Sequence, residues 1–193
     1  MKVLLFLAKG FETMEASVFV DVFGWAKISY GYDVEVVTCG VQETVTSAFG
    51  IPVKVDVLLS DVFSDEYDAL AIPGGFEEYG FYDEAFSAEV GKLINDFDTC
   101  NKAIASICVG ALALAHSGIL RGRKATTYHL NGGIRQKQLA AYDVEVINEP
   151  MVIDNNIITS YCPQTAPYVA FDLLEKLVGT EKMLIVKTAM GFE

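Results

Sequence analysis

The sequence predicts an α/β domain, a mostly parallel sheet covered by helices on both faces. Three observations point there. Short apolar runs without polar interruption recur along the chain, as in strands covered on both sides. Longer segments with helical apolar spacing separate them, and strands alternating with helices favour parallel pairing through crossovers. Finally, 193 residues with 52% apolar and 21% charged side chains can fill a core, which excludes a disordered chain. No internal repeat, low-complexity tract or polar linker divides the sequence, so residues 1–193 read as one domain.

The elements follow in order. The run 3–8 is a buried strand, and 13 to about 28 is helical. Residues 34–39 form the next strand, 53–59 are β-like but ambiguous, and 69–72 are a short buried strand ending at Pro73-Gly74-Gly75. Phe86, Val90, Leu93, Ile94 and Phe97 share one helical stripe. A strand over 103–107 leads into a helix over 109–120 that is apolar nearly all round. Asn155-Asn156, flanked by 151–153 and 157–158, reads as a hairpin turn. The last strand ends near Tyr161, and a helix from about 165 to 178 closes at Gly179.

Composition excludes several functions. Fourteen basic against 26 acidic residues give a formal charge of −12, which leaves no basic footprint for nucleic acid or an anionic membrane surface. No apolar run is long enough to span a membrane. The N-terminal run meets Lys9-Gly10 and Glu12 without a small-residue cleavage site, so it reads as a strand rather than a secretion signal. Cys39, Cys100, Cys108 and Cys162 lie far apart with no CxxC, against a disulfide framework or a zinc site. No turn carries a P-loop or GxGxxG pattern, which disfavours a phosphate ligand. The expectation is a cytoplasmic, acidic domain with free thiols, no metal and no cofactor.

In such sheets ligands bind outside the C-terminal ends of the strands, so the turns there carry the chemistry. The strongest signal is Ala103-Ile104-Ala105-Ser106-Ile107-Cys108-Val109-Gly110-Ala111, a strand, a cysteine and small residues opening a helix. It resembles a nucleophile elbow, in which small flanking residues permit a tight turn that presents the nucleophile above the strand ends. A helix N-terminus behind the sulfur favours thiolate over thiol. The same place also suits a packed core cysteine. Glu15, in register with Val18, Phe19, Val22 and Ala26, is aimed inward near the mouth of the first strand. Burial would raise its pKa and let it donate a proton to a thiolate, although it also fits as a dipole-stabilising acid behind a Thr13 cap. Gly74-Gly75 lets backbone amides approach a ligand, so the Gly75 and Val109 amides could form an oxyanion hole. Of the two histidines, His116 lies on the buried helix, as a packed or edge residue. His129 is the better candidate general base, and a surface-loop position suits it equally.

Five segments together resemble the ThiJ/PfpI superfamily: Leu4 to Glu15, Tyr67 to Gly75, Ala105 to Gly110, Gly118 to Thr127, and Ile158-Thr159-Ser160. The resemblance implies a flavodoxin-like sandwich, usually dimeric. It further implies Cys108 as the reactive thiol, Glu15 as its hydrogen-bonding acid, and Gly75 and Val109 as oxyanion-type amides. The sequence departs from the family pattern at three places. Protease-type members carry His after the cysteine, where this chain has Val109. Deglycase-like members place His after a Thr-Thr pair, where Tyr128 stands and His129 comes one residue later. Tyr161-Cys162-Pro163-Gln164 replaces a glycine-rich turn.

The expected function is therefore a cofactor-independent enzyme acting on small carbonyl or acyl electrophiles, glyoxalase-, deglycase- or hydrolase-like. The alternative is an oxidation-sensing or chaperone-like protein without turnover. An intracellular cysteine peptidase ranks below both because of Val109, and a plain binding module is the blandest reading. The aromatic and acidic loop Phe76–Asp83 would line a pocket, act as a lid or meet a partner.

Overall fold

The computed structural model describes residues 1–193. Its strands are β1 (Lys2–Phe6), β2 (Glu35–Gly40), β3 (Thr44–Thr46), β4 (Pro52–Lys54), β5 (Val57–Leu58), β6 (Ala69–Ile72), β7 (Ala103–Ile107), β8 (Lys124–Ala125), β9 (Glu145–Val146), β10 (Met151–Asp154) and β11 (Ile157–Ser160). Its helices are α1 (Thr13–Tyr30), α2 (Phe81–Ala85), α3 (Ala88–Thr99), α4 (Gly110–His116), α5 (Ile134–Ala140), α6 (Ala166–Val178) and α7 (Thr180–Ala189).

Seven strands form the central sheet in the order β10-β11-β7-β6-β1-β2-β5. All neighbours are parallel except β10 and β11, which pair antiparallel through the Asn155-Asn156 turn. The first apolar run is apolar at every position because both its faces are covered. Val3, Leu5 and Leu7 join one core with α1, α6 and α7, while Leu4, Phe6 and Ala8 join the other with α3 and α4. This is a flavodoxin-like α/β sandwich. From β1 the chain builds outward first through β2 and later, on the other side, through β6, β7 and β11. The loops after β1, β6 and β7 therefore converge at the point where the winding direction changes, the usual place for a ligand crevice.

Several boundaries differ from the sequence expectation for local reasons. The ambiguous 53–59 segment splits: Val53 pairs with Val45 in a separate β3-β4 hairpin, whereas Val57 and Leu58 join the edge of the main sheet. Asp56 makes the break by accepting from the Thr38 amide (2.9 Å) and hydroxyl (2.7 Å). The apolar helix after Cys108 stops at His116 rather than near 120, because Ser117 caps it and Gly118 turns away at φ 92°. Thr13 does not cap the first helix. The cap is Glu12, whose carboxylate accepts from the Glu15 amide at 2.7 Å. Helices α5 and α7 were not anticipated; α5 buries only Leu139 and α7 only Met183 and Val186, too little for a clear apolar stripe.

Candidate functional site

Cys108 follows β7 directly and has φ +56°, in the left-handed region that a cysteine rarely occupies. Neighbouring elements hold this strained turn. The Cys108 amide donates to the Ser160 carbonyl of β11 (2.9 Å), and its carbonyl accepts from the Thr127 hydroxyl (2.8 Å). Thr126 is pinned in turn through its amide to Thr159 Oγ1 (3.0 Å), so the Thr-Thr pair braces the cysteine turn from below. The expectation of a cysteine at a tight strand-to-helix turn matches this geometry, and Val109 follows it fully packed.

Glu15 is fully buried. Its Oε2 accepts from the Gly74 amide at 2.7 Å, while Oε1 has no partner. A Cβ built on Gly74 would lie 2.8 Å from that Oε2 and 2.9 Å from Cys108 Cβ, so the two are at most about 5.7 Å apart. Only a glycine fits between them. Gly75 is equally confined, since a Cβ there would meet the Phe81 ring at 2.2 Å and the Gly10 carbonyl at 2.6 Å. The Gly74 carbonyl accepts from Glu12 N–H, and the Phe76 N–H donates to the Gly10 carbonyl. Neither bond uses the Gly75 amide, which donates to no backbone carbonyl. Gly74 spends its own amide on Glu15.

Burial pushes Glu15 up to about 8, and the neighbouring Glu12 charge adds to the rise, while the Gly74 amide opposes it. The carboxyl is therefore protonated at neutral pH. With Oε2 committed as acceptor, the proton belongs on Oε1, a buried donor on a carboxyl that interacts with both Glu12 and Cys108. Burial also pushes the Cys108 thiol up, and an ionised Glu15 would push it further. The Val109 amide, hydrogen-bonded to the sulfur, works the other way. Protonation of Glu15 removes the opposing charge and puts a hydrogen-bond donor in its place. Cys39, deep in β2, has no such relief and is pushed up to about 12 by burial alone.

His129 lies beside the site rather than in it. Its ring stacks on Tyr161 with centroids 3.8 Å apart, its Nδ1 is buried without a partner, and no hydrogen bond joins it to Cys108. Tyr161 follows Ser160, which is paired with Ile107, so this aromatic pair walls the cysteine turn on the β11 side. His116 is exposed and stacks on Phe86 at 4.5 Å, the edge position expected of it.

Sequence reasoning missed two neighbours. Tyr82, on α2, has a buried hydroxyl with no partner and lies near enough to Cys108 for a thiolate to raise its pKa, which burial pushes beyond the ordinary phenol range. Arg135 sits 5.4 Å over the Tyr82 ring and is paired to Glu77 at 2.9 Å. The aromatic loop 76–83 was the available signal for Tyr82. Thr127, the brace, was visible only as part of a family motif. No group of three or more His, Cys, Asp or Glu side chains is placed to hold a metal ion, and no helix is long and apolar enough to cross a membrane.

Fold and site together define a flavodoxin-like protein with a cysteine held at a left-handed strand-to-helix turn beside a buried acid. The chain belongs to the DJ-1/PfpI family, whose model matches residues 1–176. Drosophila melanogaster DJ-1beta is 32% identical over 180 residues, covering 93% of this chain and 91% of that protein. A Pyrococcus horikoshii protein named as a deglycase is 32% identical over 166 residues, covering 84% of this chain and 91% of that one. The crystal structure of Drosophila DJ-1beta superposes with a TM-score of 0.87 at 28% identity, covering 100% of this chain and 98% of that one. Toxoplasma gondii DJ-1, described as oxidized, gives 0.82 at 29%, covering 99% and 98%. The chain spans less than half the length of two Arabidopsis thaliana relatives, DJ-1 homologs B and A (40% and 44%), which are 33% and 32% identical.

Proposed function

We propose that the protein is a cofactor-independent enzyme that acts on small carbonyl or acyl compounds, such as α-oxoaldehydes, with Cys108 as nucleophile. The observation that carries this reading is the left-handed Cys108 turn held against a buried Glu15 that keeps its proton at neutral pH. The sulfur adds to the aldehyde carbon, an S–C bond forms, and the carbonyl π electrons pass to oxygen. The Gly75 amide stabilises that oxyanion, and Glu15 supplies the proton that makes a hemithioacetal. The Val109 amide, which eases the rise of the Cys108 thiol, is the second proposed donor of the oxyanion hole. For a 2-oxoaldehyde, moving the C1 proton to C2 converts the adduct to a 2-hydroxy thioester. Water then cleaves the S–C bond to release the 2-hydroxy acid and the thiol. Glu15, ionised once it has protonated the oxyanion, is the proposed carrier for the C1 proton, since the fold sets His129 against Tyr161 rather than beside the sulfur. The acidic surface favours neutral substrates. Relatives named as deglycases at about 30% identity support the class of reaction.

Incubation with methylglyoxal and assay of lactate tests the reading. Wild type should turn over and Cys108→Ala should not; equal rates in the two proteins would sink it. A second reading, an oxidation-responsive protein without turnover, is favoured by the part-exposed Cys108 and by the oxidized state of the Toxoplasma relative. A peptidase has no support here, since the position after the cysteine is a buried valine. We also propose a cytoplasmic homodimer. Met14, Val20 and Ile28 are exposed on α1, and Phe49 and Ile51 on the β3-β4 hairpin, an apolar surface of the kind that pairs with a second copy. Sedimentation equilibrium should find a dimer that Ile28→Lys weakens, and a wild-type monomer would remove that part of the proposal.

A further inference from the structure

Near the proposed nucleophile lies a second thiol that the carbonyl chemistry does not use. Ile107 and Ser160 are register partners on the adjacent parallel strands β7 and β11. Cys108 is the first residue beyond that pair on one strand, and Cys162 the second beyond it on the other. The hydrogen bond from the Cys108 amide to the Ser160 carbonyl, 2.9 Å, keeps the two chains together past the last paired residues. If the ladder spacing of about 4.8 Å between strands and about 3.3 Å per residue carries just past the paired ends, an offset of one residue corresponds to a Cα separation of about 6 Å. That falls within the roughly 4.4 to 6.8 Å span that a disulfide bridges. An ionised Cys162 would add to the rise of the Cys108 thiol.

Both thiols are free, and neither residue is fully buried. The other two are ruled out by position. Cys39 is fully buried in β2, beyond β6 and β1 from Cys108, and Cys100 is exposed after α3, before the start of β7. The backbone of Cys162 is fixed by Thr165, whose Oγ1 accepts from the Cys162 amide (3.3 Å) and donates to its carbonyl (2.8 Å). Cys162 is thus held two residues beyond the strand that pairs with the one presenting Cys108.

We propose that Cys162 is a resolving cysteine: a hydroperoxide oxidises Cys108 to a sulfenic acid, and Cys162 captures it as an intramolecular disulfide. This rests on the reading of Cys108 as a reactive thiol. In the first step the Cys108 sulfur attacks the distal peroxide oxygen, an S–O bond forms, the O–O bond breaks, and water or an alcohol leaves with the thiol proton. In the second the Cys162 sulfur attacks the sulfenic sulfur, an S–S bond forms, the S–O bond breaks, and hydroxide leaves as water with the Cys162 proton. The peroxide is reduced by two electrons and the pair of thiols oxidised by two. An external dithiol restores both by exchange. Without Cys162 the sulfenic acid would continue to sulfinic acid, which thiols do not reverse. The second thiol makes the oxidation of Cys108 reversible.

Graded hydrogen peroxide followed by non-reducing peptide mapping tests this on wild type and Cys162→Ser. In wild type the Cys108 and Cys162 peptides should be joined, two hydrogens lighter, and separate again with dithiothreitol. In Cys162→Ser the Cys108 peptide should instead gain two oxygens that dithiothreitol does not remove, with roughly tenfold more of this product than in wild type. Equal sulfinic acid in both proteins, with no joined peptide, would overturn the resolving role while leaving Cys108 reactive. No change at Cys108 in either protein would overturn the reactive-thiol reading and the proposal with it.

Discussion

The two ends of the sheet treat buried polar groups in opposite ways. At the N-terminal end, Arg123 grips Asp98 through both guanidinium nitrogens at 2.9 Å. Asn156 donates to Asp98 (3.1 Å) and to the Lys102 carbonyl (2.9 Å), and the Lys102 ammonium donates to the Ser64 and Tyr67 carbonyls. Every polar side chain of that network is answered. Five of the seven unanswered ones lie at the C-terminal end, Thr13 Oγ1, Glu15 Oε1, Tyr82 OH, His129 Nδ1 and Ser160 Oγ, and the other two, Ser106 Oγ and Thr126 Oγ1, lie on β7 and just after β8. The C-terminal end also holds the strained cysteine. A buried polar group without a partner costs about 1 to 3 kcal/mol, so an end that collects several of them is maintained for something other than stability. The larger, polar cavity of about 710 Å³ opens at the N-terminal end, lined by Lys102, Arg123, Asn156 and Lys176. Its size does not make it the site, because its charged groups already have partners within the protein.

Three substitutions sharpen that contrast. The largest effect is expected of Glu15→Gln. Glu15 titrates near 4.5 when unfolded and near 8 when folded. Between those values the folded chain keeps a proton that the unfolded chain releases, so stability falls as pH rises through this window and levels off above it. Glutamine does not titrate. The stability of wild type relative to Glu15→Gln should drop by about 3 to 4 kcal/mol between pH 5 and pH 8, read from urea midpoints. A flat difference would show that the carboxyl is ionised in the fold.

Next comes Gly75→Ala, whose methyl group would meet the Phe81 ring and the Gly10 carbonyl at once. A loss of about 2 to 3 kcal/mol is expected, together with loss of methylglyoxal turnover. Unchanged turnover would show that the added methyl is accommodated without displacing the Gly75 amide. The smallest effect, at the satisfied end, is that of Asp98→Ala, about 2 kcal/mol, because Arg123 loses both its bonds to Asp98 while keeping the one to Asn156 and remaining partly hydrated. The reactivity of Cys108 should not move in this variant. If it did, the two ends would be coupled rather than distinct.

How far the sequence exposed this division depends on how locally each feature is encoded. The buried strands were legible because a strand covered on both faces must be apolar throughout, as Val3 to Ala8 is. The cysteine turn was legible because small residues flank Cys108, and the inward aim of Glu15 followed from its register with Val18 and Val22. What escaped depends on long-range pairing. The Thr127 hydroxyl finds the Cys108 carbonyl 19 residues away, and the Glu15 carboxylate finds the Gly74 amide 59 residues away. The cap was misplaced by one residue because Thr13 is the better intrinsic cap, yet Glu12 is oriented by the bond from its amide to the Gly74 carbonyl. His129 was singled out by rarity alone, and the fold sets it against Tyr161 instead of the sulfur.

The account rests on one proton, held by Glu15 and offered to Cys108. Rates of Cys108 alkylation by iodoacetamide, resolved by peptide mapping from pH 6 to pH 10 in wild type and Glu15→Gln, measure it directly. Wild-type Cys108 should be alkylated ahead of the fully buried Cys39. Above pH about 8 its rate should fall behind that of Glu15→Gln, since the ionised carboxylate then opposes the thiolate. Superimposable pH profiles in the two proteins would contradict the account.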